Sequence, residues 1–182
     1  MHGEPSFTSA RSRWWPIPAP TLTVRSIGTP TARISRNCPW TRSPHCHASW
    51  HASTPELPRA IGSLPLSAQQ VRGRAVLVHT GWDQHWRTDQ YLEGHPYLTG
   101  ALAQWLLDAG ALLVGIDSHN IDCTDDGERP VHSVLLRHDI PIVEHLCALA
   151  AVPEHGARFF AMPVKVKGFG TFPVRAFAML DR

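Results

Sequence analysis

No run of about 18 consecutive apolar residues occurs in this 182-residue chain, which excludes a membrane-spanning helix of the usual kind. The first residues, "MHGEPSFTSARSRWW", lack the apolar core of a secretory signal, so the cytoplasm is the expected compartment. Cysteine is sparse. Cys38, Cys46, Cys123 and Cys147 show no CxxC pairing, and they read as reduced thiols, not a disulfide frame. The length suffices for one domain with a real core and is too short for two comfortable ones.

What is present is unevenly spread. The net charge of +2 divides into an N-terminal part, residues 1–58, with six Arg against Glu4 and Glu56, and a remainder of opposite sign. The same first part holds four of the seven Trp and nine of the sixteen Pro, with only six Ile, Leu or Val. A basic arm of this kind ordinarily points to a nucleic-acid or other anionic partner. Residues 9–57 carry neither helical nor strand periodicity, and four tryptophans are unusual for a disordered arm. Residues 1–58 are therefore expected to be irregular, and residues 59–182 to form the domain.

From Arg74 onward the pattern is that of an α/β protein. "RAVLVHT" (74–80), "ALLVGID" (111–117) and "IPIVEHL" (140–146) are strand candidates, with two more at 158–166 and 172–180. "LTGALAQWLLDAG" (98–110) has apolar residues at helical spacing, Thr99 as a candidate N-cap and Gly110 as a stop. A short helix is expected over 132–139. Alternating strands and helices predict a mixed sheet with helical layers. Trp82, His85 and Trp86 lie in a loop that could line a pocket or pack, and packing is the expectation.

One segment carries chemistry. In "VHSVLLRHDIPIVEHL" (131–146), a seven-residue helix runs about 10 Å and the strand behind it returns a similar distance. If the chain reverses near Arg137–Ile140, Glu144 comes back beside His132. Imidazole and carboxylate suit Zn²⁺ or Mn²⁺, and two ligands of one ion should converge within about 5–6 Å. The bland alternative is a capping or surface histidine and a solvated glutamate.

From about Arg59 to the end, the blocks "VRGRAVLVHTGWDQHW", "ALLVGIDSHNID", "VHSVLLRHDIPIVEHL" and "GTFPVRAFA" resemble, in order, the cyclase family of metal-dependent hydrolases, which includes bacterial kynurenine formamidase and isatin hydrolase. The resemblance implies a swivelling-type α/β domain with a mixed β-sheet and flanking helices. It implies His132 as ligand to one metal and Glu144 as a bridge between two, zinc or manganese as cofactor, and hydrolysis of an amide or formamide C–N bond. A small-molecule amide or formamide substrate and a possible homodimer follow from it; no nucleic acid and no membrane partner are expected.

The family's remaining ligands lie in an N-terminal motif, His-x-Gly-Thr-His-x-Asp-x-Pro-x-His, and no such string exists in this chain. The histidines of "SPHCHASWH" (43–51) do not resemble it, so His45, Cys46, His47 and His51 read as incidental. Another frame allows the motif. Codons built from the third base of each residue and the first two of the next, across "WPIPAPTLTVRSI" (15–27), can spell Ala-His-Thr-Gly-Thr-His-Ile-Asp-Ser-Pro-Phe-His. Residues from about 9 to about 57 thus read as a displaced frame between two compensating shifts. GC-rich DNA read out of frame yields the Arg, Pro, Ser and Trp excess, which removes the reason to invoke a nucleic-acid arm. Three readings follow: an active hydrolase of the family, a non-catalytic remnant retaining only His132 and Glu144, and a binding module using the basic arm. The second is favoured for the chain as written.

Overall fold

The computed structural model describes residues 58–125, 127–154, 157–162 and 171–180, together with the backbone strands 21–23 and 46–50. In chain order the elements are β1 (Thr21–Thr23), β2 (Cys46–Trp50), β3 (Ala60–Ile61), α1 (Ala68–Val71), β4 (Ala75–Val78), β5 (Tyr97–Leu98), α2 (Gly100–Ala109), β6 (Leu113–Ile116), α3 (Pro130–Arg137), β7 (Ile142–Glu144), β8 (Ala157–Met162), β9 (Thr171–Pro173) and β10 (Arg175–Leu180), with short 3₁₀ turns at 82–85, 89–92 and 149–151.

Eight strands form one sheet in the order β10-β8-β2-β4-β6-β7-β1-β9. The centre is parallel: β2 with β4, β4 with β6, β6 with β7. The flanks are antiparallel. All residues of β4 (AVLV), β6 (LVGI) and β7 (IVE) are buried, as expected of parallel strands covered on both faces. Alternation divides their side chains. Val76, Val78, Val114, Ile116 and Ile142 face α2 and α3, while Ala75, Leu77, Leu113 and Val143 join Phe159, Ala161 and Val174 on the other face. Gly115 makes the second face possible, because a Cβ there would lie 2.8 Å from both Leu77 Cδ2 and Leu146 Cδ1.

The expected strand 172–180 divides at Val174. Its two parts, β9 and β10, hold opposite ends of the strand order. One residue spans only about 3.3–3.6 Å, so the two edges must approach each other there, and the sheet curls around the Val174 side of the core. Curling of this kind leaves fewer open edges for stray pairing.

The helices follow their caps. Thr99 Oγ1 accepts from the Leu102 N–H at 3.2 Å, and Gly110, at φ 84°, ends α2 in the left-handed region. Leu102, Ala103, Leu106 and Ala109 are its buried stripe. α3 begins two residues earlier than expected, at Pro130, whose fixed φ suits a first helical position.

The expectation of an irregular segment 9–57 needs correction at two places. β1 pairs with β7 and β9, and β2 sits inside the sheet between β8 and β4. Ladder hydrogen bonds use only backbone N–H and C=O groups, which every non-proline residue supplies, so a segment without strand periodicity can still be recruited by open strand edges. The other residues of 9–57 lie outside the described residues.

Candidate functional site

The parallel strands β4, β6 and β7 end on the same side of the sheet, placing His79, Asp117 and Glu144 just at or beyond their carboxyl ends. In open α/β sheets this is the side where ligands bind. The turn after β7 is tied to β6 by His145 N–H to Ser118 O and Leu146 N–H to Ile116 O.

His132 and Glu144 meet as the chain-reversal argument expects. His132 Nε2 stands 3.6 Å from Glu144 Oε1, and both residues are buried. Two donors about 2.0–2.1 Å from one tetrahedral ion are separated by about 3.3 Å, so the spacing matches a shared ligand pair. The environment is more specific than spacing could foretell. Asp122, 1% exposed, accepts from the Val131 N–H at 2.7 Å and the His132 N–H at 3.0 Å, and so caps α3. Its Oδ2 also pairs with His132 Nδ1 at 2.6 Å. On the other side of the ring, Arg129 Nη2 lies 2.8 Å from Nε2. A guanidinium only donates, so Nε2 accepts, and Nδ1 carries the proton to Asp122. Both contacts are met by the tautomer with its proton on Nδ1. Glu144 Oε1 accepts from the Ile121 N–H at 2.8 Å. Burial pushes the Glu144 carboxyl above the usual carboxylate range, against the opposing pull of His132, the Ile121 N–H and Arg129.

A second group lies nearby. His79, Asp83 and Asp117 each present a ligand atom, all within 4.8 Å of one another. The carboxylate of Asp117, fully buried, accepts from Thr80 N–H (2.8 and 3.0 Å), Thr80 Oγ1 (2.6 Å) and Gly81 N–H (2.8 Å), with His79 Nε2 at 3.8 Å. Burial raises the Asp117 pKa, opposed by these hydrogen bonds. Asp83 Oδ2 accepts from Ala148 N–H at 2.9 Å. Much of the acceptor capacity of this group is spent pinning the turn after β4 and the 148 loop, so it reads first as a clasp.

An aromatic cluster adjoins both. Tyr91 Oη lies 2.9 Å from His145 Nδ1, Trp86 packs edge-on against the Tyr91 ring at 4.9 Å, and His119 lies 5.6 Å from His145 and 5.4 Å from His95 between ring centres. Trp82 donates its indole N–H to Tyr91 O, and its ring sits 4.5 Å from that of His85. Trp82, His85 and Trp86 therefore pack, as expected. Burial first, then His119 and His95, push His145 down to about 4.

Sequence reasoning named His132 and Glu144, and the structure brings the two together. That reasoning missed Asp122, Arg129 and the His79 group. The only sequence signal for Asp122 was the polar run "DSHNID" closing a strand. Cys46 and His47 fall in β2, described as backbone alone, and His45 and His51 lie outside the described residues.

A catalytic zinc usually takes three protein ligands and an open position. Among the described residues, the His132 pair supplies two, with a guanidinium on the nitrogen an ion would need. The pair alone does not fit a catalytic ion.

The family model Cyclase matches residues 44–123. A kynurenine formamidase of Bacillus cereus (strain ATCC 14579) is 29% identical over 118 residues, covering 64% of this chain and 55% of that protein. A kynurenine formamidase of Bordetella avium (strain 197N) is 33% identical over 103 residues, 56% of this chain and 47% of that protein. The chain thus spans about half the length of the curated relatives it matches. Among solved structures, isatin hydrolase A from Ralstonia solanacearum superposes with TM-score 0.72 at 17% identity, over 89% of this chain and 71% of that one. Isatin hydrolase A from Labrenzia aggregata bound to benzyl benzoate gives 0.71 at 18%, over 90% and 73%. At these identities the structural likeness concerns the fold. Sequence blocks, family model and fold agree in their likeness to the cyclase family.

Proposed function

We propose that this chain derives from a metal-dependent hydrolase of small amides or formamides, kynurenine formamidase-like, whose metal site is incomplete in the polypeptide as written. The observation that carries the reading is the buried triad Asp122–His132–Glu144. A carboxylate that fixes a histidine's tautomer and leaves its other nitrogen facing a second carboxylate is the arrangement found behind metal-ligating histidines. A divalent ion held there, zinc or manganese, would supply Lewis-acid polarisation of the substrate carbonyl and a more acidic bound water. What this chain itself contributes is the orientation of His132 by Asp122 and the burial of His132 and Glu144.

The register of β1 supports the displaced-frame reading. Thr21 pairs with Glu144 and Thr23 with Ile142. In the displaced frame, the junctions 20/21, 21/22 and 22/23 allow His, Ile and Asp, two of them ligands of the family motif. The backbone that would carry those ligands runs beside the carboxylate they would share an ion with. A non-catalytic remnant is the second reading, favoured by the count of two convergent donors. The two are separated by expressing the chain as written beside a version with the other frame restored across residues 9–57. Bound zinc or manganese and hydrolysis of formylkynurenine are measured in both. The restored version should hold metal and turn over; the chain as written should bind metal weakly and turn over no faster than the blank. Equal activity in the two would defeat the frame reading, and inactivity in both would leave the remnant.

A further inference from the structure

Arg129 does not stand in any role given so far, yet it makes the closest contact to the ligand nitrogen of His132. Its Nη2 is 2.8 Å from Nε2, on the side of the ring that faces Glu144. Arginine remains protonated at any pH at which the protein is folded and has no acceptor, so this hydrogen bond consumes the imidazole lone pair. That lone pair is what a metal ion would use. The charge also reaches the carboxylate, since Arg129 is one of the groups opposing the upward push of burial on Glu144. A buried carboxylate without a counter-charge is costly, and among the described residues Arg129 is the permanent cation acting on Glu144.

The placement on the chain fits a movable group. Arg129 is the residue before Pro130, at φ −132° and ψ 57°, outside the first turn of α3. It offers no side-chain cap to that helix; Asp122 does so instead. Its residue is exposed overall, so only its guanidinium head reaches inward. Withdrawing the side chain into solvent would leave α3, its cap and the His132 tautomer in place.

We propose that Arg129 is a built-in cation of the half-site: its guanidinium occupies the lone pair of His132 Nε2, and a divalent ion binds that nitrogen only by displacing it. The inference rests on the reading of His132 and Glu144 as a metal-ligand pair. It adds that the metal-free state is closed by the chain's own charge. A competitor holding that nitrogen nine-tenths of the time weakens apparent metal affinity about tenfold.

The test uses the full chain and zinc alone, titrated against a chromophoric chelator. Arg129→Met keeps the apolar stem and removes the charge. It should bind zinc about tenfold more tightly than the unaltered chain, by the same competition argument. Arg129→Lys, which keeps a cation, should stay near the unaltered value. His132→Ala should abolish the gain in the Arg129→Met background. In chelator without metal, Arg129→Met should melt lower than the unaltered chain, and zinc should restore it. If Arg129→Met binds zinc no better, or melts no lower without metal, the built-in cation is overturned while His132 keeps its ligand reading. If His132→Ala leaves zinc affinity unchanged in both backgrounds, the ligand pair itself fails. Absence of measurable zinc binding in Arg129→Met also overturns the proposal.

Discussion

Asp122 and His132, ten residues apart and both buried, are joined twice: one carboxylate oxygen meets both the ring Nδ1 at 2.6 Å and the backbone N–H of His132 at 3.0 Å. A single side chain thus sets where α3 starts and which nitrogen of its histidine faces Glu144. Asp122→Asn should separate the two effects from simple packing. The amide is nearly isosteric, but it has one acceptor oxygen for three donors and brings two N–H groups of its own. The expected cost is about 2–4 kcal/mol, read from the urea midpoint at unchanged slope. Nitrogen shifts of the His132 ring should lose their fixed Nδ1–H pattern. A ring that keeps that pattern in Asp122→Asn would show that Asp122 does not set the tautomer.

Gly115 tests the curled side of the sheet. Its missing Cβ leaves room for Leu77 and Leu146, each of which would stand 2.8 Å from it. Gly115→Ala should cost about 1–3 kcal/mol through overpacking, despite alanine's usual advantage over glycine in the unfolded-chain entropy. The second substitution Leu146→Ala in the Gly115→Ala background should recover part of the loss relative to additivity, because it removes one of the two clashes. Strict additivity would mean that Leu146 does not confine Gly115.

How much of this was legible beforehand depends on what kind of signal each residue leaves. β4, β6 and α2 announce themselves, because "AVLV" and "LLVGI" are continuous apolar runs and Thr99 and Gly110 punctuate a helical stripe. His132 and Glu144 were legible because a reversal of known reach joins them. Asp122 was not, since a lone aspartate in a polar loop takes its meaning from a helix that begins eight residues later. Arg129 was hidden for the same reason: its partner is fixed by the angle at which α3 leaves Pro130. β1 and β2 were illegible on different grounds. Their sequences carry no strand period, and their places are set by neighbours that need backbone partners.

The histidine cluster predicts an acid-side loss of stability. His145 is pushed down to about 4 from 6.5, and His95 and His119 are lowered in the same direction by burial. Between those two values the unfolded chain takes up a proton that the folded chain refuses, so stability falls as pH falls through this window. His145 is also held at φ 59°, a conformation asparagine tolerates well. His145→Asn should therefore fold at neutral pH and lose less melting temperature than the unaltered chain between about pH 6.5 and pH 4. The residual slope belongs to the other shifted groups, with His95 and His119 acting in the same direction and Asp117 and Glu144 in the opposite one. Identical pH profiles for the two proteins would remove His145 from the cause.

Glu144→Gln distinguishes a structural acceptor from a ligand. The amide oxygen can still accept from the Ile121 N–H, now made by Oε1 at 2.8 Å, so the local fold is kept. The buried charge is removed. Because burial raises the Glu144 pKa in the folded state, the folded protein holds this proton to higher pH than the unfolded chain does, and the penalty for ionising it grows as pH rises above about 4.5. The glutamine variant of the chain as written should match the unaltered protein in stability near pH 4 and gain on it toward neutrality, by an amount that Arg129 reduces. In the version with the displaced frame restored, the same substitution should act in the opposite sense on function. It exchanges an anionic ligand for a neutral one, so bound zinc or manganese and formamide hydrolysis should both fall while the melting curve without metal holds. Greater stability without loss of metal would assign Glu144 to the fold alone. Loss of metal with the metal-free fold intact would assign it to the ion.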